Sequence, residues 1–209
     1  MKVGLILECT LEGADLQVYS FFARQCLGVK VDIQPSCAGN KKILIQDAGK
    51  LAKALFAEGC ERVLIIWDLW PRWAERKFKP SLAADRAAIT QSLRDADVTN
   101  SCVYLVGIDR MLETLLIVDG NAIAEVLKVP RGRPKPSHKR NPRRTHEPKK
   151  YLDGLFRDYD RGQYADYLHA KQIAEHIDVG RLERACPEFG QFRQSLSQAP
   201  CRPPLAWSP

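Results

Sequence analysis

The sequence lacks the long apolar runs and the glycine-rich phosphate motifs that would assign it to several common classes. No run approaches the roughly 18 apolar residues needed to cross a bilayer, and Glu8 interrupts the first apolar run too early for a signal peptide. Neither GxGxxG nor GxxxxGKS/T is present, which excludes the common nucleotide-binding loops. We therefore expect a protein that has no membrane anchor and does not hydrolyse nucleotides by itself.

Paired cysteines are also missing. The seven cysteines are odd in number, and no two of them form a CxxC pair. This spacing argues against a zinc site and against a disulfide framework. Together with the missing secretory signal, it predicts reduced thiols and a cytoplasmic location.

The positive charge is concentrated in one segment. The formal net charge is +7, but residues 128–150 alone contain ten Lys or Arg and one Glu, which leaves a net charge of −2 for the remainder. Five prolines within residues 130–148 predict an extended loop that is mobile or becomes ordered on binding. Such a loop can neutralise phosphates without reading base sequence, so we expect it to bind nucleic acid, with DNA favoured; a patch for an acidic partner protein is the alternative. The candidate nucleic-acid contacts are Arg131, Arg133, Lys135, Lys139, Arg140, Arg143, Arg144, Lys149 and Lys150.

Buried-strand patterns alternate with amphipathic patterns along the first 127 residues. Strands are predicted at residues 3–7, 29–34, 62–67 and 102–108, and helices at residues 15–27, 43–57, 82–95, 111–117 and 121–127. This order predicts an α/β fold with a mostly parallel sheet flanked by helices. Helical patterns after residue 148 predict a C-terminal helical appendix. The predicted organisation is an α/β domain (1–127), the basic loop (128–150), an appendix packed on the same domain (151–197) and a flexible tail (198–209).

Acidic residues follow the predicted strands. Glu8 and Asp68 stand at the carboxyl ends of two strands, and Glu113 comes soon after the last one. Ligand sites in such sheets gather at these ends, and carboxylates are the ligands that Mg²⁺ prefers. The pattern predicts a site for Mg²⁺ or Mn²⁺, with Glu12, Asp15 and Asp119 as further candidates. The simpler alternative makes Asp15 a helix N-cap and Asp68 a turn residue.

Tryptophans surround one of these acids. Trp67, Trp70 and Trp73 lie within seven residues of one another around Asp68. They could stack on the bases of a single strand. The favoured interpretation places Trp67 in the core and the other two over the sheet edge or a subunit interface, and an oligomer remains open.

Four motifs, in order along the chain, carry a resemblance to a protein family. The segment IDRMLETLLIVDGNAIAEVL (108–127) resembles an ELEAWLLAD…AL…L pattern, and VGLILECTLEGAD near the start resembles an opening strand with a VEG…D turn. EPKKYL (147–152) is similar to an NPKK.L stretch, and residues 167–177 with CPEFGQF (186–192) resemble closing helices. These patterns are those of domain-of-unknown-function family 4276, and the match runs nearly end to end.

This family is in turn similar to the Toprim fold of topoisomerases, primases and overcoming-lysogenization-defect nucleases. The resemblance therefore implies a function for this chain. It implies that Glu8 is the catalytic glutamate, that Asp68 begins a DxD pair and that Glu113 is the acid of the ELEAW motif, all three binding Mg²⁺ or Mn²⁺. It also implies a partner ABC-type ATPase in an anti-phage defence or mobile-element system.

The sequence departs from the family pattern at two positions. Trp70 stands where the second aspartate of DxD is expected, and Leu115 replaces the tryptophan of ELEAW. Loss of one ligand weakens two-metal chemistry. Three functions remain open: a metal-dependent nuclease whose site Glu75 or Asp85 completes, a non-catalytic nucleic-acid-binding or adaptor subunit, and a phosphate-ester hydrolase that uses Asp68.

Overall fold

A four-stranded sheet runs through the centre of the computed structural model, which describes residues 1–70, 81–98 and 102–198. All neighbouring strands are parallel, in the order β2-β1-β3-β4. The α/β fold with a parallel sheet is therefore confirmed. The strands are β1 (Lys2–Leu7), β2 (Asp32–Cys37), β3 (Arg62–Asp68) and β4 (Val103–Ile108).

Helices cover both faces of this sheet within the described ranges. One face packs against α2 and α3, and the other packs against α1 and the helices that follow β4. The α-helices are α1 (Ala14–Leu27), α2 (Lys41–Ala57), α3 (Leu82–Asp95), α4 (Glu113–Leu116), α5 (Gly120–Leu127), α6 (Pro148–Asp158), α7 (Asp166–His176), α8 (Val179–Ala185) and α9 (Pro187–Ser197).

Strand β3 shows why the sheet could be predicted. Leu64 and Ile66 pack into the core on the α1 side, whereas Ile65 and Trp67 pack into the core beneath α2 and α3. A strand buried on both faces needs an uninterrupted apolar sequence. Trp67 is 1% exposed, which confirms the interpretation that it belongs to the core.

The C-terminal helices share the sheet's core. Phe189 and Phe192 of α9 are buried with α1 and the sheet. The buried Arg62, at the start of β3, donates to the carbonyl oxygens of Ser195 (3.0 Å) and Gln198 (2.7 Å) at the end of α9. A cation at a helix C-terminus satisfies carbonyl groups that have no partner within the helix.

The second strand lies further along the chain than its pattern predicts. It was expected at residues 29–34, ended by Pro35, but Pro35 lies inside β2 and pairs with Leu5 of β1. This prediction was wrong because β2 is an edge strand. One side of an edge strand needs no N–H donors, so proline is tolerated there.

The basic loop is an ordered surface segment. It contains a 3₁₀ helix (Pro142–Arg144), and Pro136, Pro142 and Pro148 are buried. Apart from this 3₁₀ helix and the start of α6 at Pro148, residues 128–150 form no helix or strand. The loop is held by the side chain of Arg110, which donates to the carbonyl oxygens of Arg143 (2.7 Å) and His146 (3.4 Å).

Two further expectations concern cysteines and membranes. Cys102 is disulfide-bonded, so the expectation of reduced thiols is wrong at that position. Among the described residues, the free cysteines are Cys9, Cys26, Cys37, Cys60 and Cys186. In the described part of the chain, no helix is both long and apolar enough to cross a membrane.

Candidate acidic site and basic loop

The sheet brings Glu8 and Asp68 to the place where its strand order reverses. Strand β2 lies on one side of β1, while β3 and β4 lie on the other. The carboxyl ends of β1 and β3 therefore border the crevice at a topological switch point, where ligands bind in open α/β sheets. Glu8 directly follows β1, and Asp68 is the last residue of β3.

Hydrogen bonds connect Glu8, Asp68 and the residue that precedes Glu113. Glu8 Oε1 accepts from the backbone N–H of Asp68 at 2.8 Å. Asp68 Oδ2 accepts from the backbone N–H of Leu112 at 2.9 Å, one residue before Glu113. The three positions are thus neighbours, although 60 residues separate the first two in the chain.

Burial makes these carboxylates hard to ionise. It raises the pKa of Glu8 to about 7, although the Asp68 N–H and the nearby Lys41 ammonium lower it. Burial also raises the pKa of Glu113 to about 7, against the lowering influence of its own backbone N–H and of Lys149. Both groups therefore titrate close to neutral pH.

Asp15 is the fourth member of this group, which we call the acid cluster (Glu8, Asp15, Asp68 and Glu113). The prediction that Asp15 caps α1 was wrong, because Gly13 occupies the N-cap and Asp15 lies in the first turn. Burial raises the pKa of Asp15 to about 6. The pKa of Asp68 is raised well above its usual value by burial and then by the charges of Asp15, Glu8 and Glu113.

Lys41 provides a cation at the same sheet edge that the sequence did not single out. It is 8% exposed, and its ammonium donates to the carbonyl oxygens of Asp68 (2.6 Å) and Leu69 (3.0 Å). It also forms an ion pair with Asp85 at 3.0 Å. Asp85, considered from the sequence as a substitute metal ligand, is therefore engaged by a lysine.

A second cation lies beside Glu113. Lys149 forms an ion pair with Asp166 at 2.5 Å, and its charge favours ionisation of Glu113 and Asp15. Asp166 belongs to α7, so the C-terminal helices help to build this site. No local motif around Asp166 predicted its position there.

Two buried tyrosine hydroxyls border the acid cluster. Neither Tyr19 Oη nor Tyr164 Oη has a hydrogen-bond partner in the described part of the chain. Burial raises the pKa of Tyr19 well above its usual value, and the charges of Asp68 and Asp15 raise it further. Buried hydroxyls without partners are unusual in proteins and are commonly satisfied by water.

The acid cluster offers the type of ligand that a hydrated divalent cation takes. Mg²⁺ usually takes one or two protein carboxylates and keeps several waters, and this edge offers desolvated carboxylates beside hydroxyls that lack partners. Within residues 1–70, 81–98 and 102–198, no group of three or more His, Cys, Asp or Glu side chains is placed so that it could hold a metal ion.

The remaining acidic and aromatic candidates lie in different places. Trp70, at the DxD position, is 37% exposed, and its backbone N–H donates to the carbonyl oxygen of Arg110 at 2.6 Å. Asp119 caps α5 and accepts from Asn121 N at 3.0 Å, and Glu12 is exposed. Trp73 and Glu75 lie outside the described residues.

Several cations of the basic loop have partners within the protein. Arg143 pairs with Glu188 (2.5 Å) and lies 3.6 Å from Asp109. Arg133 pairs with Asp160 and stacks on a tyrosine ring, Lys150 pairs with Glu147, and Lys139 lies over the ring of Tyr151.

The other predicted nucleic-acid contacts have no ion pair in the described part of the chain. They are Arg131, Lys135, Arg140 and Arg144, and each is exposed. An exposed cation without an internal partner is available to a phosphate, whereas a paired one must first be released. The nucleic-acid contacts remain predictions, and these four are the ones that no ion pair within the described residues engages.

Comparison with known proteins yields one family. The model of the family described as "Domain of unknown function (DUF4276)" matches residues 20–197. No curated protein and no solved structure shows significant similarity to the chain.

Proposed function

The chain belongs to the DUF4276 family, and we propose that it is a Mg²⁺-dependent, Toprim-like nucleic-acid-processing protein that hydrolyses phosphodiester bonds. The observation that carries this proposal is the acid cluster at the switch point of the sheet. Desolvation by burial and then mutual repulsion raise the pKa values of these carboxylates, and a bound divalent cation stabilises their charged forms. Perturbed carboxylates in a crevice are typical of functional sites.

Glu8, Asp68 and Glu113 are the residues that would hold the metal. When bound, Mg²⁺ or Mn²⁺ neutralises charge on the phosphodiester and orients its oxygens. Glu8 accepts the Asp68 N–H through Oε1, and Oε2 has no such hydrogen bond to a described residue; before a metal binds, Oε2 can carry the proton. With a pKa of about 7, it can accept or donate that proton near neutral pH, as a general acid or base must.

The basic loop supports a nucleic acid as the substrate. Its exposed, unpaired arginines and lysine can neutralise backbone phosphates, and Lys149 joins the loop's end to the acid cluster through its interaction with Glu113. Phosphate contacts of this kind position the substrate without selecting a sequence. DNA is the proposed polymer.

The biological setting is part of the proposal. The resemblance to Toprim nucleases supports action with an ABC-type ATPase in a defence or mobile-element system. Five of the six described cysteines are free thiols, and Cys102 is the disulfide-bonded one; the predominance of free thiols supports a cytoplasmic location.

Nicking of supercoiled plasmid, with and without Mg²⁺ or Mn²⁺, tests the proposal. Glu8→Gln and Asp68→Asn each retain a side-chain oxygen for the backbone N–H that the native side chain binds, so both should fold. We expect each to lower the nicking rate by roughly 10²-fold or more, as loss of an acid–base or electrostatic group does. Glu125→Gln, on the exposed side of α5, is the matched control. Metal-dependent nicking that survives both substitutions would contradict the acidic site.

Thermal unfolding provides a readout that does not depend on activity. At pH 8 the wild type should gain stability on addition of Mg²⁺, because a ligand that binds only the folded state stabilises it. Asp68→Asn should lose most of this gain, and Glu125→Gln should keep it. An equal gain in all three proteins would place the metal elsewhere.

One contact favours a second function, a non-catalytic nucleic-acid-binding or adaptor subunit. The Lys41 ammonium already lies at this sheet edge and lowers the pKa of Glu8, and Trp70 occupies the position of a ligand. A protein that binds DNA through the loop, but shows neither nicking nor stabilisation by Mg²⁺, would support this alternative.

A further inference from the structure

A second charged feature lies between the basic loop and helix α8. A cavity of about 400 Å³ is lined by His138, Lys139 and Arg140 of the loop and by Arg181 and Arg184 of α8. Its apolar lining consists of Val118 and Ala185. None of these residues belongs to the acid cluster, and the two α8 arginines were not among the cations singled out in the sequence.

The positive charges of this cavity are only partly compensated, because its four cations face two carboxylates. Arg140 and Arg184 are exposed and form no ion pair in the described part of the chain. Lys139 contacts a tyrosine ring and no carboxylate there. Arg181 lies 3.8 Å from Asp119, yet its buried Nε has no hydrogen-bond partner among the described residues.

Two carboxylates, Asp119 and Asp178, lie near these cations, and both accept backbone N–H groups. Asp178 is the N-cap of α8 and accepts the N–H of Arg181 at 2.9 Å, and its charge also attracts Arg181 and Arg184. Asp119 is 3% exposed, and its two oxygens accept the backbone N–H groups of Asn121 (3.0 Å) and Asp178 (3.1 Å). Its charge is therefore already shared with the backbone. Four cations in one concavity repel one another, and an anion relieves that repulsion.

The loop side of the cavity is held in place by the backbone. The N–H of Gly120 donates to His138 Nδ1 at 3.1 Å, and a Cβ at this glycine would overlap the carbonyl oxygen of Pro136. The loop backbone thus lies directly against the start of α5. A wall fixed in this way gives up little conformational freedom when a ligand binds.

We propose that this cavity binds a phosphomonoester. A terminal phosphate carries nearly two negative charges and three acceptor oxygens, and arginine is the side chain best suited to bind it through paired donors. The volume lies within the range of about 300–1,000 Å³ that small-molecule sites occupy, which leaves room for a nucleoside beside the phosphate. This inference rests on the proposed function. If the substrate is a nucleic acid, the phosphomonoester in the cavity is the 5′-phosphate end of that substrate.

Calorimetric titration with adenosine 5′-monophosphate, inorganic phosphate and adenosine tests the cavity. We expect the two phosphates to bind, adenosine not to bind, and Arg140→Gln/Arg184→Gln to weaken phosphate binding by roughly tenfold or more, the loss expected for charge-assisted hydrogen bonds. Arg140→Lys/Arg184→Lys keeps the charge and should bind with intermediate affinity. Arg24→Gln/Arg94→Gln removes two exposed arginines from α1 and α3 and should bind like the wild type.

Oligonucleotides distinguish the two sources of the phosphate. A preference for a 5′-phosphorylated over a 5′-hydroxyl strand, lost in Arg140→Gln/Arg184→Gln, would identify a nucleic-acid end. Binding of the free phosphates without that preference would identify a small phosphate ester as the ligand. No phosphate-dependent binding, or equal weakening in the control pair, would overturn the proposal. Because Arg140 is also a proposed DNA contact, the preference is read in each protein as the ratio of its affinities for the two strands. Nicking and phosphate binding are compared in the wild-type protein, where failure of one leaves the other measurable.

Discussion

Glu8 illustrates how the environment of a single residue sets its chemistry. Burial raises its pKa from 4.5 to about 7, and its hydrogen bond to the Asp68 N–H only partly opposes that rise. Between these two pH values the folded protein holds a proton that the unfolded chain has released. Stability therefore falls as the pH rises through this window, because the folded state binds more protons. Glu113 has the same direction of shift and contributes in the same way.

Glu8→Gln should remove part of this pH dependence. Without added divalent cation, we expect the variant to gain up to about 3 kcal/mol over the wild type at pH 8, and much less at pH 4. Urea unfolding of both proteins at pH 4, 6 and 8 measures the difference in the free energy of unfolding. Glu125→Gln should follow the wild type throughout, and a Glu8→Gln curve parallel to the wild type would contradict the raised pKa.

Helices α2 and α3 pack closely because one glycine allows it. The N–H of Gly49 donates to Ser92 Oγ at 3.1 Å, and that hydroxyl donates to the carbonyl oxygen of Gln46 at 2.8 Å. A Cβ at Gly49 would overlap the carbonyl oxygen of Ser92 and lie 2.7 Å from the Cβ of Ala96. This pair of helices covers the sheet face beneath which Ile65 and Trp67 are buried.

Gly49→Ala should force the two helices apart. We expect a loss of about 1–3 kcal/mol in the free energy of unfolding, the usual cost of overpacking, measured by urea denaturation. Gly154→Ala in α6 is the matched control, because a Cβ there meets no atom within 4 Å. The control should gain about 0.5–1 kcal/mol from helix propensity. A Gly49→Ala protein as stable as the wild type would contradict the close packing.

At the scale of the whole molecule, charge is separated into an acidic sheet edge and a basic surface. Residues 128–150 contain ten Lys or Arg and one Glu, so their net positive charge exceeds the +7 of the whole chain. Ion pairs within the protein neutralise part of this charge, as between Arg143 and Glu188. The accessible charge of the loop is therefore smaller than its composition indicates. Binding of a polyanion should depend on the cations that the fold leaves exposed.

Neutralising Arg131, Lys135 and Arg144 together should flatten the salt dependence of DNA binding. Each lost phosphate contact lowers the slope of log K against log salt by about 0.9 on duplex DNA, so the triple glutamine variant should lose about 2–3 in slope. Fluorescence anisotropy over a range of salt concentrations measures this change. The triple variant of Arg24, Lys30 and Arg94 loses the same charge outside the loop, and an equal change in both proteins would assign the effect to net charge alone.

Local sequence determined the secondary structure and the fold class. Continuous apolar runs such as β3 and amphipathic segments such as α3 carry their own pattern, because burial on one or two faces constrains each residue separately. The predicted helix at residues 82–95 matches α3. Glu8 and Asp68 were also predictable as neighbours, since the carboxyl ends of parallel strands share one edge of a sheet.

Tertiary structure decided which side chains form the site and how the basic loop packs. Strand order placed β2 at the edge, where Pro35 is tolerated. Packing across long sequence separations brought Lys41 to Asp68 and Asp166 to Lys149. It also determined which loop cations are paired and which remain exposed. These contacts join side chains from different elements, so no local pattern contains them, whereas the alternation of apolar and polar residues is local and can be read from the sequence alone.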